Sequence, residues 1–107
     1  MKPTYFHPDA ESEMIDAAAW YETQQTSLGK RFLASVQDAI NRVKLHPNLY
    51  PFIESDVHRC LTKTFPFGGL FRDKHDRIEV MAVMHLHRDP YYWKNRRFEQ
   101  SGPLDWE

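Results

Sequence analysis

Two histidines one residue apart, His85 and His87, end a run of alternating residues, and Arg88 follows directly. On an extended strand, that spacing puts both imidazoles on one face. Imidazole titrates near neutral pH, so such a pair can accept and return a proton. Arg59, Lys63, Arg72 and Arg88 supply cations in the same half of the chain. A guanidinium grips a phosphate through two parallel hydrogen bonds. Tyr91 and Tyr92 carry rings able to stack on a base. A base, an acid and a cation around one phosphate are what cleavage of RNA through its 2′-hydroxyl requires. Each residue also has a structural reading. The arginines would pair with acids on strand rims, and the histidines would bond backbone at a strand end. The rings would close the edge of the core, Trp93 above all, since burying an indole is strongly favourable.

No metal or cofactor is expected. His85 and His87, with His58 or His75, make only a partial ligand set. Structural zinc takes four ligands, often with cysteine, and Cys60 is the one cysteine. Cys60 reads as a small apolar strand residue. Gly68-Gly69 lies between two strands, without the lysine and helix of a phosphate-binding loop.

The elements that must position these residues are legible from periodicity. Residues 3–7 read as a first strand. Pro8 suits a first helical turn, and Asp9, Glu11 and Glu13 suit its positive end. Ala10, Met14, Ala17, Ala18 and Tyr21 form one stripe on a helix over 8–24. Ser27 is the expected cap of a second helix, with the stripe Leu28, Phe32, Val36, Ala39, Ile40 and Val43, stopped by Pro47. The short gap between the helices predicts an antiparallel hairpin. Residues 46–51 read as an irregular connector. From residue 57 the period becomes two, predicting strands over 57–65, 67–73 and 77–88. In the last, Ile78, Val80, Ala82, Met84 and Leu86 point one way. Glu79, Met81, Val83, His85 and His87 point the other. A helical turn is expected over 90–97. The expected fold is therefore α+β: an N-terminal strand and a helix hairpin on one face of a mainly antiparallel four-stranded sheet, its other face open for function.

The 107 residues, 41% of them hydrophobic, suit a single domain over 1–97, with 98–107 as a tail. No apolar run approaches the ~20 residues of a membrane span, and the start lacks a signal peptide's apolar run. A soluble, cytoplasmic protein with no membrane association is expected. The net charge of −1 is unevenly spread: residues 56–97 hold 9 Lys/Arg against 5 Asp/Glu, whereas 98–107 hold 3 acids and no base. A protein gripping nucleic acid mainly through phosphates would be more basic overall.

Several segments together resemble the RelE/ParE superfamily. They are Trp20-Tyr21-Glu22, Leu28-Gly29 and Phe32; His46-Pro47 and Tyr50-Pro51; Arg59, Phe65-Pro66-Phe67 and Arg72; and the run His85 to Trp93. The resemblance implies the α+β toxin fold of type II toxin–antitoxin systems and a cognate antitoxin as partner. ParE-like members act on DNA gyrase without cutting RNA. RelE-like members cut mRNA on the ribosome. The Trp-Tyr-Glu helix and the Phe-Pro-Phe strand break lean towards the ParE-like branch. A ribosome-dependent nuclease using His85 and His87, and a non-toxic binding module, stay open as alternatives. In the first two readings Arg59, Lys63, Arg72, Arg88, Tyr91 and Tyr92 would contact target or phosphate. The acidic tail, anchored by Leu104 and Trp106, would either fray or fold back over the chain's own surface.

Overall fold

The computed structural model describes residues 2–98. The order is β1 (Thr4–Phe6), α1 (Pro8–Gln24), α2 (Leu28–Leu45), a 3-10 turn (Pro47–Leu49), β2 (Phe52–Glu54), β3 (Val57–Leu61), β4 (Phe67–Asp73) and β5 (Ile78–His85). The α+β architecture expected from the sequence is the one observed, with one strand more in the sheet. The five strands lie in the order β1-β5-β4-β3-β2, antiparallel except for the β1–β5 pair. The extra strand, β2, has three residues, too few to display a period of two.

His7 caps α1: its Nδ1 accepts the Asp9 N–H at 3.0 Å, satisfying one of the free donors of the first turn. Ser27 does not cap α2. It sits at φ 71° with no capping side-chain bond. The carboxylate of Glu22 takes its place, accepting the N–H groups of Ser27 (2.8 Å) and Gly29 (3.0 Å). The turn is so tight that a Cβ on Gly29 would stand 2.5 Å from the Ala18 carbonyl oxygen. Glycine there lets the two helices touch.

The helix side of the sheet holds most of the core. Phe65 and Phe67 meet both Tyr21 and Phe32 edge to face, and Phe32 lies tilted against Tyr21, with ring centroids 4.9 to 6.2 Å apart. Ala39, Val43, Cys60, Phe71 and Ile78 form a second patch on the same side. The expected stripe of α2 is the stripe that is buried, with Leu28 packed at its margin.

Two strands stop earlier than their alternation suggests. β3 ends at Leu61 because Thr62 turns its N–H and hydroxyl onto the Phe67 carbonyl. β5 ends at His85 because the Arg88 N–H folds back onto the His85 carbonyl. Inside β5 the alternation itself is interrupted. Leu70 pairs with Ala82 but Phe71 pairs with Val80, leaving Met81 as a bulged extra residue. The expected row of Ile78, Val80, Ala82 and Met84 is thereby split. Ile78 and Val80 face the helices, whereas Ala82 and Met84 pack on the opposite side.

That opposite side is not left open. Residues 90–96 form a chain of turns, with the Lys94 N–H on the Tyr91 carbonyl and the Arg96 N–H on the Trp93 carbonyl. They lay Trp93, 2% exposed, over Val57, Leu70, Met81, Ala82 and Met84, with Tyr92, Phe98 and Ile53 alongside. The indole N–H donates to the Pro90 carbonyl, so the ring is buried without stranding its polar atom. The tail beyond Phe98, and the fold-back expected of it, lie outside the described residues.

Candidate functional site

The end of β5 brings the histidines together, though not as alternate residues of one strand. His85 lies on the helix side, its ring 5.3 Å from that of Phe67. His87 stands beyond the strand in the exposed turn, and the two imidazoles are 5.1 Å apart. The His87 N–H donates to His85 Nδ1 at 3.1 Å. A neutral His85 therefore carries its own proton on Nε2. His85 also lines an apolar groove of about 550 Å3, with Ala17, Trp20, Tyr21, Pro66 and Phe67. Trp20 is 58% exposed there, a large ring offered to solvent by a short helix hairpin.

Arg88, the guanidinium nearest those histidines in sequence, is turned towards α1. It lies 3.6 Å from the centroid of the Tyr92 ring and 3.4 Å from Glu13 Oε2. Glu13 is the centre of this cluster. Arg96 holds both its oxygens, at 3.0 and 2.8 Å. The Tyr92 hydroxyl donates to Oε2 and the Val83 N–H to Oε1. Burial pushes the Glu13 carboxyl up, but the bonds from Arg96, Tyr92 and Val83 outweigh it and hold the group below the usual carboxylate range. Burial, and then the adjacent Glu13, push the Tyr92 phenol well above its ordinary value. The Arg96 guanidinium is raised by its bond to Glu13.

This cluster finishes the sheet where β1 runs out. β1 pairs with β5 only as far as Val80. After the bulge, Val83 gives its N–H to Glu13 and Met81 its carbonyl to Arg96 at 3.0 Å. Two side chains thus satisfy backbone groups of an edge that no strand among the described residues covers.

The other sequence candidates are spread out. Arg59 and Arg72 pair in register with Leu70 and Glu79, on the face away from the helices. The stem of Arg59 crosses Gly68 close to Leu86. Arg72 donates Nε to Asp56 at 3.0 Å and leans on the Met81 sulfur. Lys63 is exposed in the β3–β4 turn, its carbonyl taken by the Ser35 hydroxyl. Tyr91 is exposed beside Lys94. The structure gathers His85 with His87, and Arg88 with Tyr92, and leaves Arg59, Lys63, Arg72 and Tyr91 apart from both pairs.

Glu13 and Arg96 escaped the sequence reading. A signal existed: Glu13 is three residues after Ala10 and four before Ala17, a charge inside an otherwise apolar stripe. Such a charge needs a buried partner, but only the fold reveals that it comes from residue 96. As chemistry, the arrangement offers a histidine pair on an apolar groove. The guanidinium next to them in sequence, Arg88, is engaged with a carboxylate.

No protein-family model matches the sequence, and no curated protein matches it. Among solved structures, the chain is similar to one from "Chromosomal ParDE TA system from P. aeruginosa". The TM-score is 0.58 at 19% identity, covering 79% of this chain and 96% of that one. At that identity the likeness shows a common fold.

Proposed function

We propose that the chain is the toxin component of a bacterial type II toxin–antitoxin pair, of the ParE-like kind. In this reading it arrests growth by binding DNA gyrase and is neutralised by a cognate antitoxin. The carrying observation is the fold shared with a chain of a ParDE system over nearly all of that chain's length. Fold does not by itself fix function, so the site must add support. The groove beside Trp20 is a surface suited to protein, since exposed tryptophan anchors interfaces. The engagement of Arg88 by Glu13 and Tyr92 removes a cation that phosphate chemistry beside His85 would need. Both partner and target are cytoplasmic in this reading, and no helix among the described residues is long and apolar enough to cross a membrane. The test is induction of the protein alone, followed by a supercoiling assay with purified gyrase and mapping of transcript ends. Growth arrest, inhibited gyrase and intact transcripts are expected. Intact gyrase activity would reject the reading.

The imidazole pair at 5.1 Å favours one second reading, a RelE-like ribosome-dependent endoribonuclease. It requires transcript cuts that appear only during translation and vanish in the double variant His85→Ala, His87→Ala. Absence of any growth effect would instead leave a non-toxic binding module of the same fold.

A further inference from the structure

On the sheet face away from the helices, a groove of about 610 Å3 lies between the β4–β5 hairpin and the C-terminal turns. Arg72, Lys74 and Arg77 line it from the hairpin; Lys94, Asn95 and Arg97 line it from the turns. The charges are partly answered. Asp56 serves two cations, Arg72 Nε at 3.0 Å and Lys74 Nζ at 3.6 Å. Glu79 answers Arg77 at 2.9 Å and Glu54 answers Lys94 at 3.1 Å. Arg97 is exposed and has no ion-pair partner among the described residues. Apart from Arg96, which Glu13 holds, five cations line the groove and meet three carboxylates, an excess of two.

We propose that this groove docks an acidic, extended segment of a protein partner, two of whose carboxylates meet Lys74, which shares Asp56 with Arg72, and Arg97. The existing pairs show the pattern, a carboxylate on each side-chain cation, which an acidic peptide extends. The Asn95 amide adds a donor and an acceptor that a peptide bond can use. Nucleic acid fits less well, because it presents a charge at every nucleotide and is held by longer rows of cations. Both walls are fixed before the partner arrives, one by the hairpin and the other by the Glu13–Arg96 pair, which lowers the entropic cost of docking. The toxin reading enters only in naming the partner: an antitoxin would carry the segment.

Fluorescence anisotropy on the purified full-length chain tests this without reference to toxicity. The probes are a labelled short glutamate-rich peptide, its glutamine counterpart and a single-stranded oligonucleotide of equal length. The acidic peptide should bind, more weakly as salt rises, and the glutamine peptide should not. Lys74→Gln with Arg97→Gln should lower affinity about tenfold at an unchanged unfolding midpoint, since both side chains are exposed. Equal binding of the glutamine peptide, or tighter binding of the oligonucleotide at the same salt, would overturn the proposal. So would peptide binding that appears only after Glu99→Gln, Asp105→Asn and Glu107→Gln, which would assign the groove to the chain's own tail. A gyrase result of either sign leaves these outcomes untouched.

Discussion

Glu13 and Arg96, 83 residues apart, meet through two parallel hydrogen bonds of 3.0 and 2.8 Å, and each also holds one backbone group of the uncovered edge of β5. The pair joins α1 to the segment that covers the second sheet face. Removing either partner leaves the other charge poorly answered. Glu13→Ala or Arg96→Ala should each cost about 3 kcal/mol. A double-mutant cycle by urea unfolding should return a coupling of about 1–3 kcal/mol; strict additivity would show that the two act separately.

The same cluster sets a pH dependence. The Glu13 carboxyl lies below its ordinary value of 4.5 in the folded chain, so its contribution is present above pH 4.5 and is lost as pH falls through the lowered value. Tyr92 is raised above its ordinary 10.0, so stability also declines as pH rises beyond that point. Urea midpoints across pH should show both limbs. Glu13→Gln should flatten the acid limb and Tyr92→Phe the alkaline one.

Trp93 seals the face opposite the helices. Trp93→Ala should destabilise by about 3–5 kcal/mol through lost burial and the cavity left behind. Amide exchange should quicken in β5 and β4 more than in α2. Uniform quickening would mean that the second face is no separate unit of stability.

Much of the fold was legible because periodicity and punctuation act locally. The stripe from Leu28 to Val43 and the stop at Pro47 are written in neighbouring residues. The cap of α2 was not, because Ser27 is a good cap by type and Glu22 displaces it by reaching across a turn. The bulge at Met81 was not, because β5 is buried on both faces and apolar residues mark neither side. The histidines were found, but their relation depends on where β5 ends, and that is decided by a turn bond from Arg88. The Glu13 cluster needs segments from opposite ends of the described chain, and the basic groove needs the β4–β5 hairpin set against the C-terminal turns, which no local pattern displays.

Gly29 tests the helix contact. Gly29→Ala places a methyl against the Ala18 carbonyl, and overpacking of this kind costs about 1–3 kcal/mol. Thermal unfolding measures it. A neutral or stabilising result would show that the hairpin can open without loss.

Trp20 tests the apolar groove as a partner surface. Exposed as it is, Trp20→Ser should leave the unfolding midpoint almost unchanged. If the proposed antitoxin partner docks there, its binding should weaken by about 2 kcal/mol or more in titration calorimetry. Unchanged affinity would move the interface elsewhere.

The parallel pairing of β1 with β5 governs the order in which a nascent chain can become competent. Thr4 must wait for Ile78 to be synthesised, and Glu13 must wait for Arg96. The helix hairpin, whose contacts are local, can form early on the emerging chain. The sheet cannot be completed, nor its second face covered, until the chain has been synthesised through β5 and Arg96. A domain built this way stays unfinished until its last strand and turns have emerged, and a partner present then meets it at the moment its surfaces first exist.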